Sequence, residues 1–87
     1  MYVVIVYDVA VGRIDNVRKY LKQYLNWVQN SALEGELTRA ELRKIRHRLS
    51  ELIDEEQDSI LIYAARSDKF IKKEVLGVEK GETDVII

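Results

Sequence analysis

The stretch Tyr2-Val3-Val4-Ile5-Val6-Tyr7-Asp8 is an unbroken run of β-branched and aromatic residues that ends on a carboxylate. Such a run is typical of a strand that is buried on both faces. A carboxylate at the exit of a buried strand lies where α/β sheets usually place their chemistry. Asp8 is the only acidic residue in the sequence that follows directly on a predicted buried strand. An active site built on it therefore needs a second contributor, and a second copy of the chain is the simplest candidate.

The composition indicates a small, cysteine-free domain. The 87 residues fit one domain with an adequate core, and apolar surface left over in so small a domain favours dimerisation. The absence of cysteine excludes disulfides and thiolate metal sites. With no leader peptide and no apolar run of membrane-spanning length, we expect a cytoplasmic protein that does not contact membranes. The net charge of −1 means that nucleic-acid binding would rest on local basic patches.

The first half of the chain predicts a helix and two short strands after the first strand. Apolar residues recur at helical spacing after the turn at Gly12, and they predict a helix over about 13–25. Imperfect alternation then predicts two antiparallel strands near 26–31 and 33–38. Gly35 marks either a bulge or a close approach of the backbone.

The second half completes a βαββαβ order. Thr38 and Glu41 fit a capping box, which predicts a helix over about 39–55. The apolar run 60–65 predicts a second buried strand. The resulting fold class is α+β and ferredoxin-like, in a single domain over 1–87. The more polar tail, 66–87, retains apolar clusters, and we expect extra strands there to pair with the sheet edge of a partner protomer.

Basic residues on the two helices are candidates for nucleic-acid binding. In the second helix Arg39, Arg43 and Arg46 follow i, i+4, i+7 spacing and form one stripe beside the apolar face. A solvated helix face explains this stripe about as well as a phosphate track does. The first helix adds Arg13 and Arg18. A symmetric dimer would double each patch and suit salt-dependent binding of duplex DNA without sequence reading.

The order of motifs resembles the Cas2 family of small CRISPR-associated proteins. The matching stretches are Tyr7-Asp8-Val9, the central Gln29-Asn30-Ser31-Ala32-Leu33-Glu34-Gly35, Ser59-Ile60-Leu61-Ile62-Tyr63 and Leu76-Gly77. The resemblance implies a ferredoxin-like homodimer that acts in spacer acquisition, binds duplex DNA and bridges two dimers of the spacer integrase Cas1. It also implies magnesium-dependent endonuclease activity on RNA or DNA, with Asp8 as the metal-associated aspartate and Ser31 as the serine of the central motif.

Physical chemistry limits the role of Asp8 in a single chain. Magnesium prefers about six oxygen ligands, so one carboxylate holds it weakly, whereas two copies of Asp8 across a two-fold axis would provide two carboxylates. The alternative role for Asp8 is a helix N-cap. For Ser31 a structural role, or a hydrogen bond to substrate, competes with a catalytic one because no His or Lys base is predictably near.

This chain departs from the family pattern at two positions, and the departures bear on cleavage but not on DNA bridging. Many members carry an arginine at the position of Trp27 and an aromatic residue at that of Leu33, and both positions are linked to nuclease function. Bridging of duplex DNA does not depend on them, so we expect it to be the main role. The alternatives are a toxin-like metal-dependent ribonuclease and a ferredoxin-like regulatory module that binds a small ligand.

Overall fold

The computed structural model describes residues 1–80 and has one four-stranded antiparallel sheet. The strands lie in the order β2-β3-β1-β4, so the first strand is central and pairs with both the third and the fourth. This is the predicted ferredoxin-like arrangement. The elements in chain order are β1 (Tyr2–Asp8), α1 (Val11–Leu21), β2 (Asn26–Gln29), β3 (Ala32–Glu36), α2 (Arg39–Leu52) and β4 (Ser59–Ala65).

The two helices cover only one face of the sheet. Along β1 every second residue, Val3, Ile5 and Tyr7, is buried against the helices, where Val17, Leu21 and Ile45 complete the core. The residues between them are only half-buried. The prediction that both faces of β1 are buried is therefore wrong for a single chain, because no layer of the described residues packs fully on the second face.

We call this second side of the sheet the open face. It carries the alternate residues of β1 and the residues that pair with them in β4: Tyr2, Val4, Val6 and Asp8, opposite Ala65, Tyr63, Leu61 and Ser59. Leu61 and Tyr63 are 52% and 58% exposed. The prediction of a buried fourth strand is thus also wrong for one chain, and the face presents apolar side chains that a partner would be needed to cover.

Both helices are shorter than the periodicity predicts. Helix α1 begins at Val11 and ends at Leu21, because the amides of Gln23 and Tyr24 bond back three residues and tighten the chain into a turn. Leu25 is nevertheless buried, which explains why it continues the apolar pattern. Helix α2 begins at Arg39 as predicted and ends at Leu52, since Ile53 is already extended.

Local signals at the start of α2 and in β3 are confirmed. The Thr38 side chain accepts a hydrogen bond from the amide of Glu41, and the Glu41 carboxylate accepts one from the amide of Thr38. Gly35 is a site of close approach: a Cβ there would lie 3.1 Å from Cδ2 of Leu25. The irregularity in strand pairing falls in β2, between Trp27 and Gln29.

The tail after β4 contains one 3₁₀ turn, Asp68–Phe70, and no strand up to residue 80. The Nζ of Lys73 contacts Oε2 of Glu34 at 2.6 Å and ties the tail to β3. The last apolar cluster, 84–87, lies outside the described residues, so tail strands that pair with a partner stay a prediction. No helix within residues 1–80 is long and apolar enough to cross a membrane.

Candidate functional site

Asp8 is the last residue of β1, and its side chain is exposed at one end of the open face. The register places it directly opposite Ser59, the first residue of β4. Asp8 does not cap a helix, because the N-cap of α1 is Ala10. Within residues 1–80 the Asp8 carboxylate makes no hydrogen bond or ion pair. Its oxygens are therefore available to a ligand.

The β2–β3 turn brings Ser31 beside the same strand end. The carbonyl of Ser31 accepts a hydrogen bond from the Tyr7 amide at 2.9 Å. The neighbouring carbonyl of Asn30 accepts from the Tyr7 hydroxyl at 3.2 Å and from Nε1 of Trp27 at 2.9 Å. Ser59 therefore lies directly across from Asp8, whereas Ser31 lies across from Tyr7, whose side chain is on the helix side of the sheet.

Asp58 forms a buried ionic contact beneath this end of the sheet, and nothing in the sequence pointed to it. Its side chain is 0% exposed, and its oxygens accept from Nε of Arg13 at 2.6 Å and from Nη2 at 3.0 Å. They also accept from the amides of Ala10 at 3.0 Å and Asp54 at 2.9 Å. The hydrogen bond from Arg13, with support from the two amides, holds the pKa of the Asp58 carboxyl well below its usual range despite the burial.

The predicted basic residues divide into two groups. Arg13 pairs with Asp58, and Arg18 pairs with Asp15 at 2.9 Å on the surface of α1. Residues Arg39, Arg43 and Arg46 are exposed on α2, and no ion-pair partner for them lies within residues 1–80. Arg39 begins α2 directly after β3, which runs antiparallel to β1 and ends opposite Tyr2. The stripe therefore starts at the end of the sheet away from Asp8.

The acidic side chains of one chain do not form a metal centre by themselves. Within residues 1–80 no three acidic or histidine side chains converge as cation ligands would. Asp8 still fits the chemistry of a divalent cation in part, because it is an exposed carboxylate without a competing partner in that range. Any cation site at Asp8 requires further ligands from outside this chain.

Comparisons with known proteins identify the family. The family model for CRISPR associated protein Cas2 matches residues 1–73. The chain belongs to the Cas2 family. It is 55% identical to a CRISPR-associated endoribonuclease Cas2 of Methanosarcina acetivorans and 51% identical to one of Thermococcus kodakarensis, in each case over the full length of both chains.

Solved structures of Cas2 proteins share the fold. A crystal structure of Cas2, 46% identical, superposes with a TM-score of 0.85 over 92% of this chain and 90% of the other. The Cas2 of Streptococcus pyogenes at pH 6.5, 37% identical, gives a TM-score of 0.79 over 88% of this chain and all of that one. The sequence-based assignment to the family and to its fold is therefore confirmed.

The two departures from the Cas2 pattern have structural explanations in this chain. Leu33 is fully buried in the core beneath the sheet, so its side chain does not reach a ligand at Asp8. Trp27 is half-buried, and its indole N–H donates a hydrogen bond to the carbonyl of Asn30. Both residues stabilise the hairpin that carries Ser31. The site roles predicted for Asp8, Ser31 and the arginines stay predictions.

Proposed function

We propose that the protein acts as a homodimer whose two open faces pack against each other. The observation that carries this is the placement of Asp8 on the same face as the exposed Leu61 and Tyr63. A second copy would bury these apolar side chains, and a stable contact of this kind covers roughly 1,200–2,000 Å² in total. A two-fold axis near this end of the sheet would bring the two Asp8 carboxylates together.

The paired Asp8 residues support metal-dependent phosphodiester cleavage. The two Asp8 carboxylates would hold Mg²⁺, and a bound Mg²⁺ would supply a water of lowered pKa and neutralise charge on a phosphate. Ser59 lies directly across from Asp8, where its hydroxyl could donate to a phosphate oxygen; a contact from Ser31 stays a prediction. The substrate class we assign first is RNA, because the relatives above are named endoribonucleases; DNA is the second.

The dimer also offers a surface for duplex DNA in CRISPR spacer acquisition. Packing of the open faces leaves both α2 helices on the outside, so each protomer presents Arg39, Arg43 and Arg46 to solvent. These guanidinium groups suit phosphate contacts that hold any sequence. As a symmetric bridge between two dimers of the Cas1 integrase, the protein would fix the distance between the two integration sites.

Cleavage is tested with Asp8→Asn, which keeps the size of the side chain and removes its charge. We expect Mg²⁺-dependent cleavage of a labelled RNA by the wild-type dimer and loss of it in the variant. Asp15→Asn is the matched control, since Asp15 is also exposed but pairs with Arg18 on α1. Equal cleavage by Asp8→Asn and wild type would place the chemistry elsewhere.

Duplex binding is tested with Arg43→Ala/Arg46→Ala on α2. Each lost phosphate contact should lower the slope of log affinity against log salt by about 0.9. Lys44→Ala/Arg48→Ala is a matched control on the same helix, because Lys44 lies 5.8 Å from the ring centroid of Tyr24 and Arg48 pairs with Glu51. An unchanged slope in Arg43→Ala/Arg46→Ala would show that these arginines do not contact the phosphates of the duplex. Capture of Cas1 by the wild-type dimer tests the bridging role separately.

A further inference from the structure

We infer that Asp58 is a positioning residue that, with Arg13, fixes the backbone carrying Asp8. The inference rests on the role of Asp8 proposed above. Asp58 is connected to Asp8 in two ways: its carboxylate accepts a hydrogen bond from the amide of Ala10, two residues after Asp8 in the chain. It also directly precedes Ser59, the cross-strand partner of Asp8. The segment between β1 and α1 is thus held from the side of β4.

The start of α1 depends on the same carboxylate. The N-cap, Ala10, has no side-chain oxygen, so it cannot satisfy the free amides of the first turn. Asp58 accepts from the Ala10 amide and places a negative charge at the helix N-terminus, where it is favourable. Arg13, in the first turn of α1, binds Asp58 with two nitrogens and prevents rotation of the carboxylate.

This arrangement matters because Asp8 itself has no side-chain partner within residues 1–80. Its position is set by the backbone of β1 and by the turn that follows it. A site shared between two protomers tolerates displacement of only about 0.5 Å, so the turn requires a rigid support. Partners that orient a metal-binding group in this way typically change metal affinity by about 10- to 100-fold when removed.

Arg13 differs from the arginines proposed to contact phosphate, because its guanidinium group is already bound by Asp58. Nε and Nη2 of Arg13 both donate hydrogen bonds to Asp58, and the Arg13 side chain is only 32% exposed. Arg13→Lys keeps the charge but loses the planar fork. If Arg13 is an anchor, this variant leaves the salt dependence of duplex binding unchanged and alters the environment of Asp8. A reduced salt slope would instead make Arg13 a phosphate contact.

The main test compares Asp58→Asn with Thr38→Ala, which weakens the fold at the other end of the sheet. Amide hydrogen exchange is measured on the intact dimer, and it requires neither metal nor activity. We expect Asp58→Asn to speed exchange locally, over residues 8–13 and 54–59, by about ten-fold more than in α2, because this variant breaks one anchoring contact. Thr38→Ala should leave residues 8–13 unaffected. Uniform acceleration across the sheet and helices would overturn the inference.

The second readout is binding of Mn²⁺, followed by paramagnetic broadening of the Asp8 amide signal. We expect about 10- to 100-fold weaker binding in Asp58→Asn than in wild type, and no change in Thr38→Ala. Unchanged Mn²⁺ binding in an Asp58→Asn dimer with a loosened turn would show that Asp58 does not position Asp8. Absence of broadening in the wild type would contradict the metal role of Asp8, and the exchange pattern would then decide the anchoring role alone.

Discussion

Replacement of Leu61 by serine should weaken the homodimer by one to two orders of magnitude. Leu61 is 52% exposed in the single chain. Full burial of a leucine contributes about 1.5–3 kcal/mol, so burial of the exposed half contributes about 0.8–1.5 kcal/mol per protomer. The two copies in a symmetric dimer give about 1.5–3 kcal/mol. This corresponds to a rise in the dissociation constant of about 10- to 150-fold.

Sedimentation equilibrium over a wide range of protein concentration measures this dissociation constant. Val11→Ser is the matched control, because Val11 is 88% exposed but begins α1 and lies away from the open face. We expect the control to dimerise as wild type does. A Leu61→Ser dimer as tight as wild type, or an equal loss in the control, would refute packing through the open face.

Three further predictions concern stability. Thr38→Ala should lower the unfolding free energy by about 1 kcal/mol and the melting temperature by about 4–8 °C, followed by circular dichroism with Thr38→Ser as the control. Gly35→Ala should destabilise the fold in urea because its Cβ would crowd Leu25 at 3.1 Å, whereas Gly12→Ala, with nothing within 4 Å, should not. The pKa of the Asp58 carboxyl is lowered in the folded protein, so its contribution is present above the unfolded pKa of about 4 and is lost as pH falls below it. The difference in unfolding free energy between wild type and Asp58→Asn should therefore be constant at neutral pH and shrink in acid.

The order of elements could be predicted from local patterns, because each pattern has a local cause. The capping box fixes the start of α2, and the period of apolar residues separates helices from strands. The ends of the helices could not be predicted so well. Leu25 continues the apolar spacing of α1, but it is buried from a turn that follows the helix. Burial and helix membership give the same signal in sequence.

The sequence could not show how the sheet faces are covered. The apolar runs of β1 and β4 predict burial on both faces, whereas within residues 1–80 β1 is buried only on the helix side and β4 is at most half-buried. The exposed position of Asp8 at a strand end is predictable because the residue ends an apolar run. Asp58 is not predictable from the sequence, because it closes the acidic stretch 54–58, which resembles a solvated loop, and its partner Arg13 lies 45 residues away. Pairings over such distances leave no local pattern.

The most direct test of the central claim is whether two copies of Asp8 meet in the dimer. The chain has no cysteine, so Asp8→Cys introduces a single thiol that a short bifunctional reagent can link. Lys44→Cys, on the exposed surface of α2, is the control. We predict a covalent dimer in high yield from Asp8→Cys and little from the control. Efficient linkage through Lys44→Cys with none through Asp8→Cys would contradict dimerisation through the open face.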